Sequence, residues 1–204
     1  MLFNFLSGAN PLIGLLAFLI VFSMLVVCIT IHEFSHAFIA LKLGDPTAKA
    51  SGRVTLNPLA HLDPVGTLLL ALVGFGWGKP VPFNLNFLRS PKRDAALISL
   101  AGPASNFLFA VVFGLIHKVF GLGFIGNILE SLVYFNLILC FFNLIPVHPL
   151  DGFKVVWGFL PPDLSEQWLD LAPYGLWILL LLIFANVTDY FVSLPVGFLV
   201  KLLL

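Results

Sequence analysis

Long apolar blocks separated by short polar stretches dominate the chain. The first block covers residues 11–43 and ends at Gly44, so it exceeds the roughly 20 residues that one helix needs to cross a bilayer at right angles. We expect it to be tilted or to project past the membrane. Three further apolar blocks follow, at residues 95–116, 128–145 and 174–199. Blocks of this length predict helices that span a membrane.

The segments between these blocks predict less regular structure. Residues 45–64 are polar, and residues 65–87 are apolar but contain repeated glycines and prolines. These glycines and prolines argue against a straight spanning helix and favour short strands or a re-entrant hairpin. Irregular backbone of this kind at membrane depth must be buried in protein or line a cavity. A proline-flanked segment at residues 146–151 and an amphipathic stretch at residues 161–170 complete the pattern.

Composition agrees with a membrane protein. Hydrophobic residues make up 60% of the 204 residues and charged residues 10%, whereas a typical soluble domain is about a quarter charged. We therefore expect an all-α membrane protein in one domain, a polytopic helical bundle of about 5–6 transmembrane segments with a short β or re-entrant insertion after the first helix. The zero net charge gives no indication of nucleic-acid binding. Cys28 and Cys140 lie in apolar blocks, as small buried hydrophobes do.

The positions of lysine and arginine predict an orientation in the membrane. Seven of the ten lie between the first block and the block at residues 95–116. Cytoplasmic loops are enriched in these residues, so we expect this connection in the cytoplasm and the N-terminus outside. No basic residue precedes Glu33, so the first block is expected to be a retained membrane helix rather than a signal peptide. Residues 146–152 then arrive near the cytoplasmic face.

The first block contains the motif His-Glu-Phe-Ser-His at residues 32–36. Residues four apart share one face of a helix, so His32 and His36 can both reach a single metal ion. Zinc lowers the pKa of a water molecule bound to it to about 7. Glu33 is adjacent to the first ligand and is positioned to act as the base that takes a proton from that water. Such side chains inside a membrane span are functional by default, because each costs several kcal/mol there. The motif therefore predicts a zinc site.

A catalytic zinc usually takes three protein ligands, so one more is needed. The candidates for the third ligand are His61, Asp63, His117, Glu130, His148, Asp151 and Asp189. His36 lies about two helical turns, ~12 Å, from the cytoplasmic end of its helix. Asp151 approaches from the same side, beside a proline break, which makes it the best candidate. The alternative for Asp151 is a carboxylate that caps the next helix.

Several motifs in combination resemble the site-2 proteases, a family of intramembrane zinc metalloproteases (peptidase family M50). Besides the zinc motif, Asn-Leu-Ile-Pro at 143–146 and Pro-Leu-Asp-Gly at 149–152 are similar to the NxxP and LDG signature of that family. Further segments that resemble family blocks lie at residues 44–48, 52–58, 61–67, 76–82 and 101–106. The resemblance covers about residues 30–160, the expected catalytic core. His148 departs from it, because proline is expected there; it is a loop residue, a hydrogen-bonding partner or an alternative ligand.

The resemblance implies a cofactor, a mechanism and a substrate class. It implies one zinc ion per chain, held by His32, His36 and Asp151, with Glu33 as general base. The implied reaction is cleavage of the transmembrane segments of single-span membrane proteins. The orientation expected from the lysines and arginines puts the site on the cytoplasmic side of the cell membrane. The sequence has no insert long enough for a PDZ domain and no CBS-type nucleotide-sensing domain, so we expect neither kind of regulation. It leaves the oligomeric state open.

Four further residues are candidates for contact with the substrate. Asn106 and Asn143 lie in apolar surroundings; Asn106 is expected to act catalytically and Asn143 to bind substrate, by donating to the scissile carbonyl or its oxyanion. The alternative for both is a hydrogen bond between helices. Gly74 and Gly76 are expected to lie on a strand edge that holds the unwound substrate by β-augmentation.

Two other functional classes fit part of the pattern. A transporter or channel would explain several spans, polar residues within them and glycine-broken segments. It would not explain an ordered metal motif with a matching distant aspartate. A metal-binding membrane protein without turnover is the second alternative, and the presence of Glu33 disfavours it.

Overall fold

Helices account for the fold, and the computed structural model describes them over residues 1–2, 10–74 and 76–204. Those residues contain no strand, so the prediction of an all-α polytopic bundle is confirmed. The helices are α1 (Pro11–Lys42), α2 (Thr47–Ala50), α3 (Pro64–Val73), α4 (Pro91–Phe120), α5 (Gly123–Asn143), α6 (Asp151–Phe159), α7 (Pro162–Leu169), α8 (Gly175–Phe184), α9 (Val187–Phe191) and α10 (Ser193–Leu203). Short 3-10 turns lie at Pro58–Ala60, Leu85–Phe87 and Ala172–Tyr174.

The longest helix, α1, begins where its sequence predicts. The side-chain oxygen of Asn10 accepts hydrogen bonds from the N–H groups of Leu12 and Ile13, at 3.0 and 3.3 Å. Pro11 occupies the first helical position, where an N–H would have no partner within the helix. With 32 residues, α1 is about 48 Å long at 1.5 Å per residue. It therefore exceeds the ~30 Å hydrocarbon core of a bilayer.

Four helical segments in the described part of the chain are long and apolar enough to cross a membrane. They are α1, α4, α5 and the segment Pro162–Phe184, which contains α7 and α8. We expected about 5–6 such segments. The other apolar helices are too short to be counted: α3 has 10 residues, and α10, which follows the break at Asn186 (φ 55°), has 11.

Helix α4 lies at the centre of the bundle and packs against α1, α5 and α6. One half of it contributes to a buried apolar cluster with α5 and α10, formed by Ala110, Val133, Leu137 and Val196. In its other half, Ile98 packs against Ala40 of α1. The N-terminal half of α4 therefore lies beside the C-terminal half of α1, which carries the zinc motif.

The insertion after α1 is helical, where the sequence favoured short strands or a re-entrant hairpin. Asp63 caps α3 by accepting a hydrogen bond from Gly66 N at 2.8 Å, and Gly74 ends it with a φ of 85°. Leu62 and Gly78 pair in an isolated antiparallel bridge, so the excursion returns to its start, as a hairpin does. The strand alternative is wrong for the described residues, because most of the glycines and prolines lie after the leucine-rich run that forms α3.

Candidate metal centre

Three side chains from two helices converge at one point. His32 and His36 lie on α1, and Asp151 is the first residue of α6. The Nε2 atoms of the two histidines are 3.0 Å apart, and Asp151 Oδ2 lies 3.1 Å from Nε2 of His32 and 3.2 Å from Nε2 of His36. Both histidines are buried. Within the residues that the structure describes, these three form the group that could hold a metal ion.

The outer nitrogens of both imidazoles face acceptors. His36 Nδ1 donates to the backbone carbonyl of Ile98 at 2.7 Å, and His32 Nδ1 lies 2.6 Å from Oδ1 of Asn106. Because a carbonyl oxygen only accepts, each Nδ1 carries the proton and each Nε2 presents a lone pair. Two imidazole lone pairs and a carboxylate oxygen thus point at one position, an arrangement that is repulsive unless a cation lies between them.

The spacing of the three atoms matches a tetrahedral zinc site. Zinc bonds of about 2.0–2.2 Å to nitrogen and oxygen hold neighbouring ligand atoms about 3.3–3.6 Å apart in a tetrahedron, slightly longer than the 3.0–3.2 Å between these three atoms. Two histidines and one carboxylate leave the fourth position free for water or substrate, as in catalytic rather than structural zinc sites. The residues present therefore fit the metal.

One stripe of α4 supports both histidines. Ile98, Gly102 and Asn106 are four residues apart, so they share the helix face that packs on α1. A Cβ on Gly102 would lie 2.5 Å from His36 Nε2 and 2.6 Å from His32 Cε1. Glycine is therefore required between the two acceptors, because any side chain would occupy the space of the imidazoles.

Close packing of α6 positions Asp151. A Cβ on Gly152 would lie 2.3 Å from the carbonyl oxygen of Leu144, so the chain turns tightly immediately after the carboxylate. At the other end of α6, a Cβ on Gly158 would lie 2.3 Å from Cβ of Ala96 on α4. These two contacts fix α6 on the bundle and direct its N-terminus, where a negative charge is favoured, at the two histidines.

The carboxylate of Glu33 lies under the insertion that contains α3. Arg53 Nη2 is 4.0 Å from Glu33 Oε2, and both side chains are largely buried. The guanidinium of Arg53 also donates to the carbonyls of Lys79 and Pro80. Burial lowers the pKa of Arg53, and the negative charge of Glu33 opposes that change. A Cβ on Gly78 would lie 3.1 Å from Glu33 Oε1, so the returning chain passes directly over this carboxylate.

Known proteins resemble the chain over most of its length. It is 38% identical over 177 residues to a protein of Bacillus subtilis named "Putative zinc metalloprotease YwhC", an alignment that covers 81% of this chain and 80% of the relative. This chain belongs to that family of zinc metalloproteases. The motif-based prediction of the enzyme class is thereby confirmed.

Two other zinc metalloproteases extend the comparison. The chain is 32% identical over 196 residues to "Putative zinc metalloprotease Rip2" of Mycolicibacterium smegmatis, over 88% of this chain and 71% of the relative. It is 27% identical over 142 residues to "Zinc metalloprotease MJ0392" of Methanocaldococcus jannaschii, over 69% of this chain and 34% of the relative. No family model and no solved structure matches the chain.

In this zinc metalloprotease two other histidine candidates for the third ligand, His61 and His148, lie elsewhere. His61 is fully buried, and its Nε2 donates to the carbonyl of Thr55 at 2.7 Å, which agrees with a loop histidine. The ring of His148 packs edge-on against Phe153, with 5.6 Å between centroids. Neither belongs to the group that converges with His32.

The two asparagines that we expected to contact substrate are engaged within the protein. Both N–H bonds of Asn106 are used, by the carbonyl of Cys28 at 3.3 Å and by Oδ1 of Asn136 at 2.8 Å. This geometry leaves Asn106 no free donor for a scissile carbonyl and favours the alternative of a hydrogen bond between helices. Asn143 donates to Leu139 O of its own helix at 2.9 Å, which leaves its second N–H available.

The two candidate glycines have structural explanations. Gly74 ends α3 in a left-handed conformation, which favours glycine. A Cβ on Gly76 would lie 2.1 Å from the carbonyl oxygen of Gly66, so Gly76 lets the returning chain pack on α3. Neither lies on a strand, since the described residues contain none.

Sequence reasoning missed three supporting residues. Gly102 and Arg53 lie in segments that resemble family blocks, but neither residue by itself indicates a role at the metal centre. Asn136 was overlooked although it lies in an apolar block, where an amide is a signal in itself. The carbonyl of Ile98 carries no sequence signal, because every residue has a backbone carbonyl.

Proposed function

We propose that this zinc metalloprotease is an intramembrane endopeptidase of the site-2 type, with one zinc ion per chain, that cleaves transmembrane segments of membrane-anchored proteins. One observation carries the proposal: two of the three converging ligands lie within α1, an apolar helix long enough to cross a bilayer. His36 is six residues, about 9 Å, from the C-terminal end of that helix. The proposal therefore places the metal centre within the membrane rather than beyond it.

The residues around the metal centre support peptide hydrolysis. When bound, zinc supplies Lewis acidity that polarises the peptide carbonyl and makes water acidic enough to attack near neutral pH. Glu33 takes the proton from the attacking water and later delivers it to the leaving amine nitrogen. Arg53 holds a positive charge near the carboxylate of Glu33 and fastens the chain that passes over it.

The substrate class follows from the location of the centre. A helix within the membrane satisfies its own backbone hydrogen bonds, so a scissile peptide must unwind before it reaches the metal. Gly78, in the non-helical residues 76–84, lies beside Glu33. The unpaired backbone groups of this segment and the second N–H of Asn143 are candidates to hold an unwound substrate. Substrates with one span, whose helix can separate from its neighbours, meet these requirements.

The orientation is also a proposal. Seven of the ten lysines and arginines lie in the connection from the end of α1 to the start of α4. By the positive-inside rule, that connection faces the cytoplasm, the N-terminus lies outside, and the metal centre opens towards the cytoplasmic side.

A matched pair of variants tests the reaction. The purified protein in detergent is assayed for zinc per chain and for cleavage of a reporter with one transmembrane helix. Glu33→Gln should keep zinc and lose cleavage by at least 10²-fold, the contribution expected of a general base. Glu130→Gln serves as the control, because Glu130 is exposed on α5, away from the centre. A reporter helix with a central glycine pair should be cleaved faster than its all-leucine counterpart.

Three results would contradict the proposal. Absence of stoichiometric zinc would remove the metal centre, and equal cleavage by Glu33→Gln and wild type would remove the assigned base. Stoichiometric zinc without cleavage of any single-span reporter would favour a metal-binding membrane protein without this turnover.

A further inference from the structure

Two asparagine side chains are completely buried between membrane-spanning helices. Asn106 on α4 and Asn136 on α5 both have no solvent exposure. A buried amide without partners costs several kcal/mol, and an asparagine in an apolar helix calls for an explanation. Asn106 contacts a metal ligand directly, whereas Asn136 contacts none of the three.

Hydrogen bonds connect Asn136 to His32 in one continuous path. Asn136 Nδ2 donates to Leu132 O at 2.8 Å and to Cys28 Sγ at 3.1 Å. Its Oδ1 accepts from Asn106 Nδ2 at 2.8 Å. The Oδ1 of Asn106 then accepts from His32 Nδ1 at 2.6 Å. The path therefore joins α5, α4 and α1, and it ends on the ring that presents Nε2 to the metal position.

The path has a direction because a backbone carbonyl can only accept. The carbonyl of Leu132 requires the N–H side of the Asn136 amide, so the oxygen of that amide must face Asn106. Asn106 must therefore donate one N–H to that oxygen, and its second N–H donates to the carbonyl of Cys28. The oxygen of Asn106 is thereby directed at His32 Nδ1. A reversal of either amide would bring donor against donor and acceptor against acceptor.

We propose that Asn136 and Asn106 form a directional relay that fixes the tautomer and the ring orientation of His32, which makes Asn136 a positioning residue of the metal centre. The relay starts from a backbone carbonyl, so its polarity does not depend on solvent. His36 needs no relay, because Ile98 O fixes its Nδ1 directly. This inference rests on the proposed zinc site, and it adds a residue that does not touch any ligand.

The test measures zinc release and the environment of the metal, besides activity. The zinc-loaded, full-length protein in detergent is mixed with a coloured chelator, and the release rate is recorded for Asn136→Leu and Asn106→Leu. Both variants should release zinc faster, by about 10–100-fold, the range seen when outer hydrogen-bond partners of metal ligands are removed. The visible absorption bands of the Co²⁺-substituted variants should shift. Excess zinc should restore occupancy and part of the cleavage activity.

Val133→Ala is the matched control. Val133 is fully buried one turn before Asn136 on α5, but it packs in the apolar cluster with Ala110 rather than in the relay. This variant should lose thermal stability and keep the wild-type release rate and cobalt spectrum. If Asn136→Leu folds poorly, Asn136→Ala carries the same expectation and adds no volume.

The possible outcomes separate the relay from the proposed function. If wild type binds no zinc or cleaves no reporter, the proposed function fails. If wild type binds and cleaves, but Asn136→Leu and Asn136→Ala release zinc at the wild-type rate with an unchanged cobalt spectrum, the relay alone is overturned. It is also overturned for Asn136 if only Asn106→Leu has an effect, or if Val133→Ala accelerates release equally.

Discussion

Replacement of Gly102 by alanine adds one methyl group against the metal centre. The added Cβ would lie 2.5 Å from His36 Nε2 and 2.6 Å from carbon atoms of both imidazoles. Ordinary contacts between carbon atoms are about 3.5–4.0 Å, so the rings must retreat by roughly 1 Å. Zinc sites tolerate deviations of only about 0.2 Å in ligand distance. The displacement is about five times that tolerance.

We expect a large loss of zinc affinity with little loss of thermal stability. We expect Gly102→Ala to weaken zinc binding by at least about 10–100-fold, the range for lost outer contacts, because here the ligands themselves move. Overpacking lowers the unfolding free energy by about 1–3 kcal/mol. Alanine in place of glycine within a helix raises it by about 1 kcal/mol, because alanine has the higher helix propensity. Zinc affinity should therefore fall far more than thermal stability.

Chelator competition and thermal unfolding, measured on the same preparations, separate these two effects. Gly197→Ala is the matched control, because a Cβ at that helical position would meet no heavy atom within 4 Å. It should leave zinc affinity unchanged. Wild-type zinc affinity in Gly102→Ala would refute the geometric argument, since no methyl group fits beside two liganding imidazoles.

Three further changes probe the surroundings of the centre. Arg53→Ala removes the donors to the carbonyls of Lys79 and Pro80, so we expect a loss of about 1.5–3 kcal/mol of unfolding free energy, measured by thermal unfolding. The zinc content should stay the same, because Arg53 contacts none of the three ligands. Gly158→Ala forces α6 away from α4, so we expect a lower zinc content. Adding Ala96→Gly to that variant removes the clashing methyl group and should restore the zinc content. Metal analysis of the single and double variants measures both effects. Removal of zinc by a chelator should lower the unfolding temperature. Zinc at 100 times its Kd should raise the unfolding free energy of the metal-free protein by about 2.7 kcal/mol. An unchanged unfolding temperature would contradict a metal held by the folded state.

Local sequence patterns predicted the helices and the first two ligands. The block at residues 11–43 became α1, and His32 and His36 share a face because they are four residues apart on that helix. Such predictions succeed because helix length and side-chain periodicity depend only on neighbouring residues. The insertion after α1 shows the limit of this approach: glycine and proline content suggested strands, whereas the leucine-rich run at residues 68–72 forms a helix between two capping signals.

The sequence by itself determined that this protein is an α-helical membrane protein with a zinc motif inside its first span, and it singled out Asp151 from topology and resemblance. Only the tertiary structure decided how the centre is built. The three ligand atoms meet because α6 packs on α4 through Gly158, and the histidines are oriented by a stripe of α4 and by Asn136 of α5. These contacts join residues far apart in the chain, so they depend on helix packing and close approach, which no local pattern records.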